Sequence, residues 1–230
     1  MQVFYQDLCW TLYGELRQSI GLCSTEKQRK QEQMEEIRSD NEMTIDYSTY
    51  YWQNGMVRLR KATTDDWDVF YSNYFDNPAR FLLDNEIELP LNEDGAKERW
   101  QEFVENTENS KNFIFTIESL DGSKVGSAYL NSIDERNGTF GLGMIIDRNC
   151  RGQGYGFAAL KIIFDYAFNE RRLHKYNSFI IEGNTGSETM LKKIGCQHEG
   201  VVRESIFHDG KYLNKINYGM TASEFNEKWK

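Results

Sequence analysis

The hexapeptide RGQGYG at residues 151–156 is the feature that most restricts what this chain can fold into. It follows the apolar run GLGMIID and precedes FAALKIIFDYAF, whose apolar residues recur at helical spacing. A strand that enters a helix through glycines presents several backbone N–H groups at the positive end of that helix. Gly152, Gly154 and Gly156 permit conformations that other residues disfavour and leave room for a bound group. The pattern therefore predicts a phosphate-binding turn.

Other phosphate-binding loops match this segment poorly. A P-loop ends in Gly-Lys-Ser or Gly-Lys-Thr, and no lysine follows the glycines here. The dinucleotide fingerprint G-x-G-x-x-G opens a parallel βαβ unit, whereas these glycines alternate and lie late in the chain. A glycine-rich turn with a purely structural role is the remaining alternative.

The pattern from residue 56 onward predicts an α/β domain. Alternating apolar runs predict strands at 56–62, 112–119, 124–133, 138–147 and 175–183, and a closing hairpin at 200–220. Helical spacing predicts helices at 63–75, 94–107, 157–171 and 185–195. Residues 76–92, which contain two prolines, are predicted to be irregular. We therefore expect a mixed, mostly antiparallel sheet with helices on both faces.

Residues 1–42 differ in pattern from the rest of the chain. Apolar residues at three- and four-residue steps predict an amphipathic helix over 3–20, and the almost wholly polar stretch 26–42 predicts a solvated helix or tether. We place the domain boundary near Met43, so that a helical extension precedes a domain at 43–230. The extension is interpreted either as a dimerisation or partner element or as a loosely packed appendage.

The composition argues against several functions. A formal net charge of −9 argues against a nucleic-acid-binding surface, which needs clustered lysine and arginine. No run of about 18 apolar residues is present, and no basic segment precedes the apolar N-terminal stretch. The cysteines show no zinc spacing. We therefore expect a cytoplasmic protein with reduced cysteines and no metal, which binds neither nucleic acid nor membranes.

The glycine loop also resembles that of a known family. RGQGYG is similar to the R/Q-x-x-G-x-G/A pyrophosphate loop of the GCN5-related N-acetyltransferases (GNAT), which bind acetyl-CoA there. The segment EGNTGSETMLKKIGCQHEG resembles that family's N-x-x-A/S segment and K-x-G-F ending. VVRESIFHDGKYLNKINYGM resembles the closing hairpin of its RimJ/RimL branch. The resemblance extends from about residue 56 to 220 and implies a GNAT-like fold with acetyl-CoA as the donor substrate.

The resemblance implies which residues contact the donor. Ile145 and Ile146 would offer backbone groups to the pantetheine arm. Asn184 would bind the pantetheine or face the thioester, unless it only forms an Asx turn before a helix. Lys193 would lie near the adenine, unless it is a solvated helix lysine. The pyrophosphate would be held by the loop residues Arg151, Gly152, Gln153, Gly154, Tyr155 and Gly156.

Acetyl transfer from a thioester to an amine sets three tasks. The acceptor must lose a proton, the oxyanion needs a donor, and the thiolate benefits from a proton. Many family members carry a tyrosine acid seven residues after the matched asparagine, but this chain has Leu191 there. Ser187 is the first substitute and Tyr212 a weaker one. Cys196 is expected to be a small buried hydrophobe rather than a nucleophile.

The general base and the acceptor stay open from the sequence alone. Glu86 and Glu88 could attract an amine, and acceptors in the branch include polyamines, aminoglycosides and protein N-termini. Candidate bases are Glu118, Asp134, Glu182 and Glu204. We expect an acetyl-CoA-dependent N-acetyltransferase that acts on a primary amine by direct attack in a ternary complex, with a homodimer as one form it could take. The alternative is a catalytically weak or inactive acyl-CoA-binding module.

Overall fold

The computed structural model describes residues 45–107 and 112–230. The described helices and strands all lie in the unit from Tyr50 to Lys230. The predictions for residues 1–42 lie outside the described residues. None of the helices in the described ranges combines the length and apolar character needed to span a bilayer.

The described residues form seven strands and six α-helices. The strands are β1 (Val57–Lys61), β2 (Phe113–Ser119), β3 (Lys124–Asp134), β4 (Thr139–Ile146), β5 (Lys175–Ile181), β6 (Gln197–His208) and β7 (Lys211–Thr221). The helices are α1 (Trp67–Tyr74), α2 (Asn77–Asp84), α3 (Glu93–Asn106), α4 (Tyr155–Asp165), α5 (Thr185–Ile194) and α6 (Ala222–Trp229). A 3₁₀ turn at Thr64–Asp66 leads into α1, and a π-helical turn at Tyr166–Glu170 continues α4.

The strands form one sheet in the order β1-β2-β3-β4-β5-β7-β6. Neighbouring strands are antiparallel except β4 and β5, which are parallel. The helix α4 makes the connection that a parallel pair requires. The predicted mixed, mostly antiparallel sheet is therefore confirmed.

Two apolar clusters cover opposite faces of this sheet. The larger cluster packs α4, α5 and α6 against the strands and includes Phe115, Leu160 and Ile194. The smaller cluster joins Ile114 to Trp100 of α3. Ile114 and Phe115 are neighbours in β2 and point to opposite faces, because successive side chains alternate along a strand. Helices thus lie on both faces, as predicted.

Residues 76–92 contain a helix where the sequence predicts irregular structure. The helix α2 begins directly after Asp76, and Pro78 lies in its first turn, where a proline removes no helical hydrogen bond. The helix ends at Asn85, whose φ of +65° is typical of a helix C-terminus. The prediction of irregular structure is therefore wrong for 77–84, where Pro78 starts a helix instead of breaking one, and is confirmed for 85–92.

The C-terminal helix α6 is an element that the sequence reading does not include. It begins with a capping box, in which the Glu224 N–H donates to Thr221 Oγ1 over 3.3 Å and the Thr221 N–H donates to the Glu224 carboxylate over 2.7 Å. Phe225 is buried against Phe164 and Phe168, with ring centroids 6.1 and 5.4 Å away. The helix α6 therefore packs on α4, the helix that follows the glycine loop.

Candidate active site

The strands β4 and β5 diverge toward their C-terminal ends. They pair only at Thr139–Lys175 and Phe140–Tyr176, whereas β5 pairs with β7 along its whole length. The strand β4 is central in the sheet, yet every residue from Gly141 to Ile146 is only half-buried. The two parallel strands therefore open into a V-shaped cleft.

The register with β3 decides which β4 backbone groups face the cleft. The Asp147 N–H donates to the Val125 carbonyl over 2.9 Å, and antiparallel pairs alternate between hydrogen-bonded and non-bonded positions. The N–H and C=O of Ile145 therefore point to β3, and those of Met144 and Ile146 point into the cleft. The sequence prediction names Ile145 and Ile146; the backbone groups of Ile146 face the cleft, as those of Met144 do, whereas those of Ile145 face β3.

The helix α2 forms one wall of the cleft. Leu83 Cδ1 lies 3.6 Å from the position that a Cβ on Gly143 of β4 would occupy. Phe81 shares a buried cluster with Ile181 at the end of β5, and its ring stacks on His208 with centroids 3.6 Å apart. Because α2 reaches both diverging strands, it closes one face of the opening.

The glycine loop lies at the open end of the cleft, after β4. Gly152 and Gly154 have φ values of +76° and +94°, conformations that favour glycine. Gly154 precedes α4 directly, so the first N–H groups of that helix have no acceptor within the helix. A Cβ on Gly156 would lie 3.3 Å from Ile146 Cγ1 and 3.4 Å from Met144 Sδ, so this glycine lets α4 approach β4. These features suit a bound diphosphate.

The Arg151 side chain is bound within the protein. Its Nε donates to the Ile146 carbonyl over 2.8 Å, and its Nη1 lies 2.7 Å from Oδ2 of the buried Asp76. Gln153 Nε2 donates to the Asn149 carbonyl over 3.3 Å. Of the cleft-facing groups of Ile146, the N–H is thus the one open to a ligand, and the Arg151 side chain positions the loop.

Asn184 and Ser187 lie on the β5 side of the open end. Asn184 Oδ1 accepts the Ser187 N–H over 3.1 Å and caps α5, which is the turn role that the sequence allows as an alternative. Ser187 is half-buried in the first turn of this helix. Leu191, which stands at the family's tyrosine position, is 3% exposed and belongs to the main core.

The other predicted site residues are more dispersed. Tyr155 packs against the main core. Tyr212 is 64% exposed near the tip of the β6–β7 hairpin, where its ring contacts Phe207. Lys193 places its Nζ 4.3 Å from the centroid of the Phe157 ring in the first turn of α4. The geometry therefore brings Lys193 to the loop helix and keeps Tyr212 on the hairpin surface.

Two of the candidate bases have structural partners. Glu118 Oε1 lies 2.5 Å from Arg60 Nε, and this pair joins β2 to β1. Asp134 accepts the N–H of Asn137 over 3.1 Å within the turn that follows β3. Neither carboxylate lies in β4 or β5, the strands that form the cleft.

The other two candidate bases meet at Asn214. The Asn214 N–H donates to Glu182 Oε2 over 3.3 Å, and Asn214 Oδ1 accepts the Glu204 N–H over 2.9 Å. Glu182 follows the last residue of β5, so it lies at the open end of the cleft. Of the four carboxylates, it is the one that directly follows a cleft strand, and its carboxylate contacts the backbone of Asn214 in β7.

A charged cluster joins α2 to the segment that follows it and to α3. Arg80 Nη2 lies 2.7 Å from Asp84 Oδ2 and 3.4 Å from Glu88 Oε2, and Arg99 also binds Glu88. Burial raises the pKa of Asp84. Glu88 is half-buried and is paired with both arginines, whereas Glu86 is exposed. Within the described ranges, no group of three or more His, Cys, Asp or Glu side chains is arranged to hold a metal ion.

Comparisons with known proteins agree with this geometry. A sequence model of the acetyltransferase (GNAT) domain matches residues 56–197. The uncharacterized N-acetyltransferase YokL of Bacillus subtilis is 28% identical over 175 residues, which are 76% of this chain and 95% of YokL. YdaF of the same organism, whose name places it among ribosomal N-acetyltransferases, is 28% identical over 105 residues, 46% of this chain and 57% of YdaF. A spermidine N-acetyltransferase from Vibrio cholerae, solved with CoA and spermine, matches 75% of this chain and 99% of its own with a TM-score of 0.65 and 20% identity.

The cleft, the glycine loop and the family match together define the class of this protein. The chain belongs to the GNAT acetyltransferase family and is an enzyme of the N-acetyltransferase type. The matched segment, 56–197, contains the cleft strands, the glycine loop and α5, and it ends at the first residue of β6. The helix α6 lies outside it.

Proposed function

We propose that the chain transfers the acetyl group of acetyl-CoA to a primary amine, by direct attack of the amine on the thioester in a ternary complex. The observation that carries this proposal is the cleft between β4 and β5 with the glycine loop at its open end. A cleft of this form holds the donor and the acceptor together, so no covalent enzyme intermediate is needed.

The donor is proposed to lie along β4. The N–H groups from Gly152 to the first turn of α4 bind the diphosphate, because they converge at the positive end of that helix. Met144 and the Ile146 N–H face the cleft and bind the amide groups of the pantetheine arm. The thioester then lies between β4 and the start of α5, where Asn184 and Ser187 are placed.

The proton transfers are proposed to use groups at the open end. Ser187 relays a proton to the departing thiolate, giving its own proton to the sulfur as it takes up one from the nitrogen of the tetrahedral intermediate through water, because the buried Leu191 has no acidic group to offer. Glu182, at the end of β5, is proposed as the group that receives the proton of the amine, directly or through water. Tyr212 stays the weaker candidate because its side chain is largely exposed on the hairpin.

The acceptor is proposed to be a cationic primary amine of a small molecule or a protein N-terminus. The net charge of −9 favours the approach of such an amine. The Vibrio cholerae protein acts on spermidine, and the name of YdaF points to ribosomal protein acceptors. The proposal therefore includes both a small-molecule amine and a protein N-terminus as acceptors. A cytoplasmic site of action and a homodimer remain predictions from the sequence.

An acetyl-transfer screen tests the proposal. The purified chain is mixed with acetyl-CoA and polyamines, aminoglycosides or peptide N-termini, and CoA release is followed with a thiol reagent. We expect turnover with at least one amine and intersecting initial-velocity lines, which a ternary complex produces. Tight CoA binding without turnover on any amine would favour the inactive binding module, for which Leu191 at the tyrosine position is the supporting observation. Absence of CoA binding would refute both.

A further inference from the structure

The two edges of the sheet differ in what covers them. At the β1 edge, the Leu59 N–H donates to the Trp52 carbonyl over 2.7 Å, and Gln53 forms an isolated bridge with Arg58. The segment before β1 therefore runs along that edge. At the other edge, β6 pairs with β7 and, within the described ranges, with no other strand. Nine of the twelve residues of β6 are exposed, so this edge is open.

The register with β7 decides which backbone groups of β6 point outward. The Glu182 N–H donates to the Asn214 carbonyl over 3.0 Å, so the backbone groups of Asn214 point to β5. Backbone groups alternate in direction along a strand, so those of Lys215 point to β6, where Val202 is the paired residue. The N–H and C=O of Val201 therefore point away from β7, to the open edge.

The side chains at this point are apolar on both faces of the strand. Val201 and Val202 are 49% and 47% exposed, and they point to opposite faces because they are consecutive in a strand. Val201 pairs with Ile216, which packs against the main core, whereas Val202 pairs with Lys215. An edge that combines outward backbone groups with exposed apolar side chains is a template for a further strand.

Bulges limit the length of strand that can pair here. The β6–β7 register shifts between His198 and Gly200, and again between Val202 and Ile206. In the second bulge, Glu204 has a φ of +50°. A bulge disrupts the regular ladder and bends the strand. The open segment of β6 is therefore short and is centred on Val201.

We propose that this segment of β6 binds a second copy of the chain, antiparallel, with Val201 opposite Val201 of the second copy. Gly200 of each copy then lies opposite Val202 of the other, so each exposed valine has room to pack. The same surface is used by both copies, so the pair closes as a two-fold dimer instead of extending into a fibre.

The charges beside Val201 complement each other in this arrangement. Glu199 and Arg203 each lie two positions from Val201, so the two-fold pairing places Glu199 of one copy opposite Arg203 of the other, on both sides of the axis. Glu199 Oε1 lies 2.6 Å from Lys175 Nζ, which holds this carboxylate at the β6 end of the sheet. The second copy thus meets opposite charges at both ends of the apolar segment.

Sedimentation velocity of the full chain between about 1 and 100 µM tests the proposal. We expect a monomer–dimer equilibrium with a dissociation constant of about 10 µM or tighter. Val201→Lys places two ammonium groups beside the axis and is expected to weaken the dimer by at least about tenfold. Leu120→Lys is the matched control, because Leu120 is 44% exposed but lies in the turn after β2. This control should dimerise as the unaltered chain does.

Charge reversal separates a specific contact from a general disturbance of β6. Glu199→Arg and Arg203→Glu each bring like charges together across the axis, and each is expected to weaken the dimer by about fivefold or more. The double variant restores opposite charges and should return the dissociation constant to within about twofold of the original value. Damage to the fold would add up in the double variant instead of being reversed.

Amide hydrogen exchange locates the contact on β6. The Val201 N–H is open in the single copy and hydrogen-bonded in the dimer, so its exchange should slow by about threefold or more as the concentration rises from about 1 to 100 µM. The Val202 N–H points to β7 and serves as the internal control. Its exchange should be slow at both concentrations.

Three results would overturn the inference. One is a monomer at about 100 µM, and another is a dimer that Val201→Lys leaves intact, which would assign dimerisation to a different surface such as residues 1–42. The third is Val201 exchange that does not depend on concentration. Each of these results leaves the proposed acetyl transfer standing, because β7 separates β6 from the cleft strands β4 and β5.

Discussion

Arg151 and Asp76 form an ion pair, with Nη1 2.7 Å from Oδ2, that joins the glycine loop to the start of α2. The Asp76 side chain is 7% exposed and the Arg151 side chain 39%. Arg151 also donates through Nε to the carbonyl of Ile146, the last residue of β4. One side chain therefore connects the proposed diphosphate loop, the cleft strand and the helix that forms the cleft wall.

Replacing Arg151 and replacing Asp76 are expected to lower the free energy of unfolding by different amounts. Arg151→Met should lower the free energy of unfolding by about 2 to 3 kcal/mol, because it leaves the Asp76 charge buried without a cation. Asp76→Asn should cost only about 1 kcal/mol, because the half-exposed guanidinium can be hydrated. Urea denaturation of both variants and of the double variant measures this difference. Equal losses for the two single variants would contradict the role given to Asp76.

The glycine loop is expected to lose CoA affinity when its backbone is disturbed. Gly152→Ala places a Cβ at a φ of +76°, although no atom lies within 4 Å of it. The substitution should cost about 1 to 2 kcal/mol of stability and weaken CoA binding by about tenfold, because the N–H groups move from their positions.

Gly210→Ala is the matched control for this experiment. Gly210 has a φ of +75°, also with no atom near the added Cβ, but lies in the β6–β7 turn. It should lose similar stability and keep its CoA affinity, as isothermal titration can measure. A similar loss of CoA affinity in both variants would argue that strain alone, not the loop position, affects binding.

Much of the fold could be predicted because the sequence patterns that mark strands, turns and helices each involve neighbouring residues in the chain. Alternating apolar residues mark the strands, and the turn residues between β2, β3 and β4 mark the meander. The helix α2 could have been found, since Pro78 stands two residues after an aspartate, a residue type common at helix starts, but proline also marks loops. The start of α6 could also have been predicted, because Thr221 and Glu224 have the spacing of a capping box. This helix lies beyond the segment that resembles the family.

The site could be predicted only in part. The glycine loop is contiguous in sequence, so its position between strand and helix follows from the pattern. The choice of Met144 over Ile145 depends on the β3–β4 register, which shifts between Asn131 and Asp134 and leaves no local signal. The Arg151–Asp76 pair joins residues far apart in the chain, and no sequence pattern links them.

The buried carboxylate of Asp66 is expected to make stability depend on pH at the acid end. Burial alone would raise its pKa, but hydrogen bonds from Arg60, the Thr63 N–H and Thr116 outweigh burial and hold the pKa of Asp66 well below its usual range. A lowered pKa in the folded state stabilises the protein above the unfolded pKa of about 3.9 and loses this contribution as pH falls below it.

Denaturation with urea between about pH 3 and pH 7 tests this expectation. The unaltered chain should lose stability steeply below about pH 4. Asp66→Asn should be less stable at neutral pH by about 3 kcal/mol and show a shallower acid limb, because the titrating group is gone. An acid limb as steep in Asp66→Asn as in the unaltered chain would assign the pH dependence to other carboxylates.

Cys196 is expected to be chemically inert and dispensable for the reaction. The residue is 6% exposed, and burial raises the pKa of its thiol to about 12, so the thiolate is scarce at neutral pH. Iodoacetamide should leave Cys196 unmodified in the folded chain, as peptide mass spectrometry can show. Cys196→Ala should lose about 1 kcal/mol of stability and keep acetyl transfer within about twofold. Loss of turnover in a folded Cys196→Ala chain would instead indicate an acyl-enzyme route.

Ser187→Ala is expected to slow the chemical step without weakening donor binding. The hydroxyl lies in the first turn of α5 at the open end of the cleft, whereas the cap is made by the Ser187 backbone N–H and survives the substitution. We expect kcat to fall by about tenfold or more while KM for acetyl-CoA stays within about twofold, since proton transfer to the thiolate loses its carrier.

Tyr212→Phe provides the comparison for Ser187. Its ring is 64% exposed and contacts Phe207, and phenylalanine preserves this contact while removing the hydroxyl. We expect its kcat and the pH profile of kcat to match those of the unaltered chain. Steady-state kinetics across pH for both variants decides between the two hydroxyls, because only the true proton carrier should lower kcat on removal. The reverse result, a slow Tyr212→Phe beside a fast Ser187→Ala, would place the hairpin tip over the thioester and assign the proton to Tyr212.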